Sequence, residues 1–119
     1  MAKKLSAALV TTAAIFLASS LTTANAGPIT GNNGHKASGT ARLSGSSVKL
    51  GSDFRFDGGP DVYVAVRKKG QKVKLISKLK TNSGAQSYKL PTGSKKKDVD
   101  QILLWCKRYN VPLGSASPN

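Results

Sequence analysis

Apolar and polar residues alternate along most of the chain after residue 36, and this period of two is typical of half-buried β-strands. Turn signals built from Gly, Pro, Asn and Ser separate the alternating segments at intervals of roughly 8 to 15 residues. The predicted strands are residues 37–43, 47–50, 53–56, 61–66, 73–79, 86–90 and 111–113. Short strands with such turns predict a small antiparallel sandwich or barrel.

Two turns organise the middle of this pattern. The sequence Asp-Gly-Gly-Pro-Asp at residues 57–61 is the strongest turn signal in the chain, because Asp-Gly and Gly-Pro both favour turns. A second turn at residues 68–71 joins two β-branched segments and predicts a hairpin. Near the end, Pro112 is compatible with a last short strand at residues 111–113, because proline is tolerated at a sheet edge.

The apolar run at residues 101–106 fits two structures. As a helix, it would place Val99, Ile102, Leu103 and Cys106 on one face, with Asp98 as the N-cap. As a strand, it is apolar on both faces, which suits a central buried strand, and the strands predicted elsewhere favour this interpretation. On a strand, Cys106 would share a face with Ile102 and Leu104, while Trp105 would point to the opposite face.

The first residues have the features of a secretory signal. Lys3 and Lys4 precede an apolar stretch at residues 5–21, and Ala-Asn-Ala at residues 24–26 is a small-x-small cleavage signal. We predict a cleaved Sec-type signal peptide over residues 1–26, and a secreted or periplasmic protein that is soluble after cleavage. A retained membrane anchor is the alternative, but the stretch contains Ser and Thr and falls short of the roughly 20 apolar residues that a span needs.

The remaining residues divide into three parts. Residues 27–33 are rich in Gly and Asn and are predicted to be a flexible N-terminal arm. Residues 34–116 form the predicted domain, and residues 117–119 a tail. The chain left after cleavage is long enough for one small hydrophobic core.

The chain is strongly basic, with a formal net charge of +14 that falls to +12 when Lys3 and Lys4 leave with the signal; all five acids are Asp. The positive residues form clusters at residues 67–69 and 95–97 and a series whose shared parity predicts one outer strand face: Lys72, Lys74, Lys78 and Lys80. Such a face is either a solvated surface or a dock for an acidic partner protein, anionic lipid or polysaccharide. Nucleic acid fits the charge but not the compartment, and the few aromatics predict no stacking platform.

The inventory of reactive side chains excludes several kinds of site. After cleavage one His, one Cys and no Met remain, namely His35 and Cys106. Structural zinc needs four Cys or His ligands, and type-one copper needs two His and a Cys. Covalent haem attachment needs two Cys, a His/Met site needs a Met, and a bis-His site needs a second His, so these residues cannot form any of the three haem sites. We therefore predict no metal and no cofactor, haem included. A Cys106/His35 dyad is not supported by any spacing, so no catalytic residue and no enzyme are predicted.

Cys106 is the remaining candidate for chemistry, and a single Cys in an exported chain cannot form an internal disulfide. Lys107 and Arg108 follow it, and nearby cations increase the reactive thiolate fraction. On a continued strand Arg108 would lie on the same face, roughly 7 Å further along. Burial between Ile102 and Leu104 would instead make the thiol an inert small hydrophobe. Both interpretations stay open.

Five segments, taken in order and spacing, resemble the DM-thirteen domain, also called the electron-transfer DM domain: residues 35–41, 53–54, 59–64, 83–91 and 104–109. The resemblance implies a β-sandwich akin to DOMON domains, extracytoplasmic placement and a proposed redox or electron-transfer role. The Trp-Cys pair is the family signature, and its proposed redox Cys corresponds to Cys106. DOMON relatives that bind haem use Met and His ligands. Haem binding is not carried over to this chain, because no Met remains after cleavage. Gly59, Pro60 and Asp61 are interpreted as a structural turn whose Asp caps backbone donors.

The sequence thus predicts an accessory redox or electron-transfer module that acts through Cys106 on an acidic redox partner. Trp105 would be a packing neighbour, Arg108 a modulator of the thiol, and His35 a further neighbour. The alternative is a redox-silent binding module that docks its basic face on an anionic partner or surface. In that alternative Cys106 is a core residue.

Overall fold

A computed structural model describes residues 25–118, which form antiparallel β-sheets connected by short turns. The predicted signal peptide lies outside the described residues, apart from its last two positions. The strands are β1 (Ala26–Pro28), β2 (Thr30–Gly31), β3 (Ala37–Ser38), β4 (Thr40–Ser44), β5 (Ser47–Leu50), β6 (Arg55–Phe56), β7 (Val62–Arg67), β8 (Lys74–Lys78), β9 (Gln86–Lys89), β10 (Gln101–Cys106) and β11 (Val111–Ala116). A 3-10 turn covers Lys96–Asp98. Across residues 25–118, no helix has the length and apolar character needed to cross a membrane.

The strands form two main sheets and a small ribbon. The first sheet has the order β1-β4-β5-β9, the second has the order β2-β11-β10-β7-β8, and β3 pairs with β6. One hydrophobic cluster contains buried side chains from both main sheets, including Leu43 and Val48 from the first and Val64 and Leu104 from the second. The sheets therefore pack face to face, and the predicted all-β antiparallel sandwich is confirmed.

Strand β10 is central in the second sheet, between β7 and β11. It pairs with β7 from Gln101↔Arg67 to Cys106↔Val62. Leu103 and Leu104 point to opposite faces and are 1% and 2% exposed. A segment that is buried on both faces needs apolar residues at every position, which explains the uninterrupted apolar run. The strand interpretation of this run is confirmed over the helical one.

The flexible arm predicted at residues 27–33 is corrected by the structure, because this segment contains β1 and β2. These strands pair with β4 and β11, and Ile29 between them is 6% exposed. A Cβ on Gly27 would collide with the carbonyl of Ser117, and one on Gly31 with the carbonyl of His35. The glycines therefore permit close backbone approach here, and not flexibility.

The basic series on β8 also differs from its prediction. The register pairs Ala65 with Leu75 and Val64 with Ser77, so that Ile76 is an extra residue in a bulge. Because a bulge reverses the alternation, Lys74 lies opposite the core residue Val66, whereas Lys78 lies opposite Tyr63. The prediction that Lys72, Lys74, Lys78 and Lys80 line one outer face is therefore wrong.

Candidate functional site

Cys106 is the last residue of β10, and its side chain joins the core on the inner face of the second sheet. It shares this face with Ile102 and Leu104, as the strand pattern predicts, and its exposed fraction is 0%. The thiol is thus enclosed in the structure.

Backbone groups hold the thiol in place. The thiol donates to the Pro60 carbonyl, with Sγ 3.3 Å from the oxygen, and Sγ accepts from the Tyr109 backbone N–H at 3.4 Å. The Lys107 N–H also donates to the Asp61 carbonyl at 3.0 Å. We call residues 59–61 the thiol-covering loop. Gly59 and Pro60 are exposed to solvent, so the thiol lies only one residue's thickness below the surface.

His35 supports this loop and not the thiol. Its Nδ1 lies 3.0 Å from Asp57 Oδ1, and its ring is 5.9 Å from the Phe56 ring. A Cβ built on Gly59 would lie 3.4 Å from His35 Cε1, so the imidazole packs directly against the start of the loop. The structure therefore brings His35 to the candidate site as a packing and hydrogen-bonding neighbour of the loop.

Asp57 links the loop to the segment that carries His35. Its second carboxylate oxygen accepts from the Lys36 backbone N–H at 3.0 Å. This backbone hydrogen bond is the largest cause of a lowered pKa at Asp57; desolvation opposes it, and the His35 ring adds to it. The carboxylate is thus stabilised in its ionised form, and it fixes two backbone segments next to the thiol-covering loop.

The capping role proposed for Asp61 is wrong. Asp61 adopts a left-handed φ of 52°, which Asp tolerates, and its carboxylate lies 3.7 Å from Lys78 Nζ. The four other Asp residues do accept from backbone N–H groups, but in other parts of the chain: Asp53, Asp57, Asp98 and Asp100. The turn itself is where the sequence predicts it, but its contribution to the site is the backbone of Pro60 and Asp61.

Trp105 and Arg108 both lie away from the thiol. Trp105 pairs with Tyr63 on the outer face of the sheet, opposite to the face of Cys106. Strand β10 ends at Cys106, and Arg108 is exposed in the following turn at residues 107–110. The expectation that Arg108 continues along the thiol face is therefore wrong, because the chain turns before reaching it.

Sequence reasoning missed the groups that contact the thiol, the carbonyl of Pro60 and the amide of Tyr109. Backbone groups leave no signature in residue type, and Pro60 is 46 positions from Cys106. Within residues 25–118, no three His, Cys, Asp or Glu side chains cluster in a way that could hold a metal ion.

In a comparison with protein families, the model described as Electron transfer DM13 matches residues 29–117, a span that contains strands β2 to β11. No curated protein and no solved structure matches the chain.

Proposed function

The chain belongs to the electron-transfer DM-thirteen family, and we propose that it is an exported accessory redox module whose reacting group is the Cys106 thiol. The observation that carries this proposal is the position of Sγ, directly beneath an exposed loop and hydrogen-bonded to backbone on two sides. Cys106 is the only thiol in the sequence, so redox chemistry at sulfur has one location.

The simplest balanced reaction for a lone thiol is exchange with the disulfide of a partner protein. Cys106 loses its proton to water, and its sulfur attacks one partner sulfur. A bond forms between these two atoms as the partner S–S bond breaks, and the leaving sulfur takes up a proton to become a thiol. The leaving partner sulfur is thereby reduced to a thiol, while Cys106 is oxidised into a mixed disulfide with the other partner sulfur. When the thiol of a second partner attacks that partner sulfur, Cys106 leaves as a thiol again, so that Cys106 relays the exchange between the two partners and is not itself consumed.

Access to the thiol depends on the thiol-covering loop. Sγ has no exposed surface, so an attacking or attacked sulfur must displace Pro60 first. The hydrogen bond from the thiol to the Pro60 carbonyl is weak, because S–H is a weak donor. Its loss therefore costs little free energy compared with opening the core. We propose that the loop limits the rate of exchange, while the rest of the sandwich stays folded.

The acidic character of the partner follows from charge. The formal net charge without the signal is +12, which attracts an acidic surface over distances of about a Debye length. Salt should therefore slow the encounter, and acidic disulfide proteins should react faster than basic ones.

Export is part of the same proposal. The signal features of residues 1–26 support it, and Ile29, the first buried hydrophobic residue of the described chain, lies just after the predicted cleavage point. Cleavage after Ala26 keeps the pairing of Gly27 with Ala41. The mass of the protein isolated from the extracytoplasmic fraction should correspond to a chain that begins at Gly27. Retention of residues 1–26 there would contradict the proposal.

The test of the thiol chemistry is a titration of the purified protein with a small disulfide reagent, in native buffer and in denaturant. We expect one thiol per chain to form a mixed disulfide under native conditions, at a rate faster than global unfolding. Cys106→Ser serves as the blank. Reaction only at the rate of global unfolding would remove the redox role.

Complete burial of Cys106 in the main core supports a second candidate, the redox-silent binding module. In this case the protein docks through its basic surface and the thiol only fills space. Binding to an acidic partner would survive Cys106→Ser, and native thiol exchange would be absent. The same titration therefore separates the two candidates.

A further inference from the structure

The outer face of the second sheet holds a groove that the thiol chemistry does not use. Its volume is about 640 Å³, within the range of roughly 300–1,000 Å³ that is common for ligand sites. Residues from three strands and two turns line it, and none of its described lining residues is acidic: Arg67, Gln71, Lys72, Leu75, Trp105 and Lys107 are the main ones.

The apolar part of the groove is formed by Trp105 and Leu75. Trp105 is half-buried, and Leu75 is one of the two large hydrophobic side chains that are exposed in the described chain, at 37%. Beside them Lys107 places its ammonium 5.3 Å from the Tyr63 ring centroid. This arrangement combines an aromatic surface with a cation at its edge.

Among the described residues, the cations that line the groove form no ion pair, and Arg67 is held in place. Arg67 donates from Nε and Nη2 to Gln101 Oε1, at 3.0 and 2.5 Å, which fixes its guanidinium plane beside the groove. Lys72 and Lys107 are exposed and line the same groove. A fixed guanidinium that shares a groove with two ammonium groups favours a ligand that carries carboxylates at intervals.

We propose that this groove binds an acidic polysaccharide with carboxylate-bearing sugar units. The C–H face of a pyranose ring carries partial positive charge and packs on the negative face of the Trp105 indole. Uronate carboxylates pair with Arg67, Lys72 and Lys107, and the Gln71 amide both donates to and accepts from hydroxyl groups. An acidic polypeptide offers the carboxylates but lacks the flat ring faces that the indole matches.

A polymer fits better than a single sugar, because the basic surface continues around the β7–β8 hairpin. A second groove of about 360 Å³ shares Arg67, Gln71 and Lys72 with the first and adds Lys68 and Lys74. Its only acidic lining residue is Asp98, whose carboxylate already accepts the Lys95 N–H. The two grooves together form a basic path along which successive sugar units can lie.

The test uses Trp105 as its own reporter, since it is the only Trp in the sequence. The purified protein is titrated with oligogalacturonate, with a neutral oligosaccharide of equal length, and with poly-glutamate of equal charge. We expect a saturable change in Trp fluorescence with oligogalacturonate that weakens with salt, and none with the neutral sugar. Poly-glutamate should bind at least tenfold more weakly. Equal binding of poly-glutamate would overturn the assignment to carbohydrate.

Two paired variants test the location. Lys72→Glu combined with Lys107→Glu should weaken binding of oligogalacturonate by roughly tenfold or more. Lys49→Glu combined with Lys89→Glu makes the same charge change on the first sheet, and should weaken it less than threefold. Equal losses in the two pairs would overturn the groove as the site.

The contribution of the indole is tested by calorimetry, which needs no Trp. Trp105→Ala should lose most of the oligogalacturonate affinity, and Trp105→Phe should retain more of it than Trp105→Ala. An unchanged affinity in Trp105→Ala would contradict the stacking role. Cys106→Ser should bind as the parent does, so the outcome is independent of the redox proposal.

Discussion

The two faces of β10 place two adjacent residues in different surroundings. On the inner face, Cys106 is fully enclosed in the hydrophobic core, and its hydrogen-bond partners are backbone groups. On the outer face, Trp105 is half-buried in an open basic groove. The two residues are adjacent in sequence, but the pleat of the strand places their side chains on opposite faces. Their environments suit different tasks, protected sulfur chemistry on one side and ligand contact on the other.

The largest expected difference between the faces is in stability. Leu104→Ala on the inner face should lower the free energy of unfolding by about 2–5 kcal/mol, because it leaves a cavity in the core. Leu75→Ala on the outer face makes the same change at an exposed position and should cost about 0.5 kcal/mol or less. Denaturant unfolding of the two variants measures both values. Comparable losses would mean that the outer face is covered at Leu75 as well.

The second prediction concerns the thiol-covering loop, which lies over Cys106 on the inner face. Pro60→Gly leaves the carbonyl that accepts from Cys106 but increases the freedom of the open loop, by about 0.4–1 kcal/mol. Native labelling of the thiol should become about two- to fivefold faster. Pro91→Gly, in a turn away from the thiol, is the control and should leave the rate unchanged. If the two variants behave alike, the thiol is reached by another route.

A smaller effect is expected at the ring contact on the outer face. Lys107→Gln removes the ammonium over the Tyr63 ring and should cost about 0.5–1 kcal/mol of unfolding free energy. Lys89→Gln removes the same charge from β9 on the other sheet and is the matched control. A cost that is equal in both variants would reflect overall charge, and not the contact with Tyr63.

The last prediction is the pH dependence of the stability that Asp57 contributes next to the thiol-covering loop. The pKa of Asp57 is lowered in the folded protein from its ordinary value of 3.8, chiefly by the Lys36 N–H. Since the unfolded chain takes up this proton first, the contribution of the carboxylate to stability is complete above about pH 4 and is lost as pH falls further. Asp57→Asn should be less stable than the parent at pH 7, and this difference should shrink at pH 3. A difference that does not change with pH would assign the effect to lost packing.

The strands could be predicted from sequence because alternation is a local property. The predicted and observed strands agree closely at residues 47–50, 86–90 and 101–106. The wrong prediction of a flexible arm at residues 27–33 also has a local cause. Gly27 and Gly31 suggest flexibility, although Ile29 between them is the kind of apolar residue that a strand buries. Here each glycine allows another backbone segment to pack closely against it. The position of that segment is known only from the structure.

The rest depends on contacts between distant residues. The bulge at Ile76 comes from how β8 meets β7, and it reverses the face of Lys74 without a change in the pattern. The cover over Cys106 comes from Pro60, and the groove around Trp105 comes from the hairpin that carries Lys72. Residue types alone identify Cys106 and Trp105 as candidate site residues. They do not identify the residues that surround each side chain.

The lysines of β8 have a consequence for self-association. This strand is the outermost of its sheet, so one row of its backbone donors and acceptors has no neighbouring strand within the sheet. Such an edge can template pairing with another copy and lead to aggregation. Lys74 and Lys78 occupy both ends of the strand, and the bulge between them bends its outline. Two copies that approach edge to edge therefore meet like charges on a mismatched contour, which keeps this basic sandwich from growing into a continuous sheet.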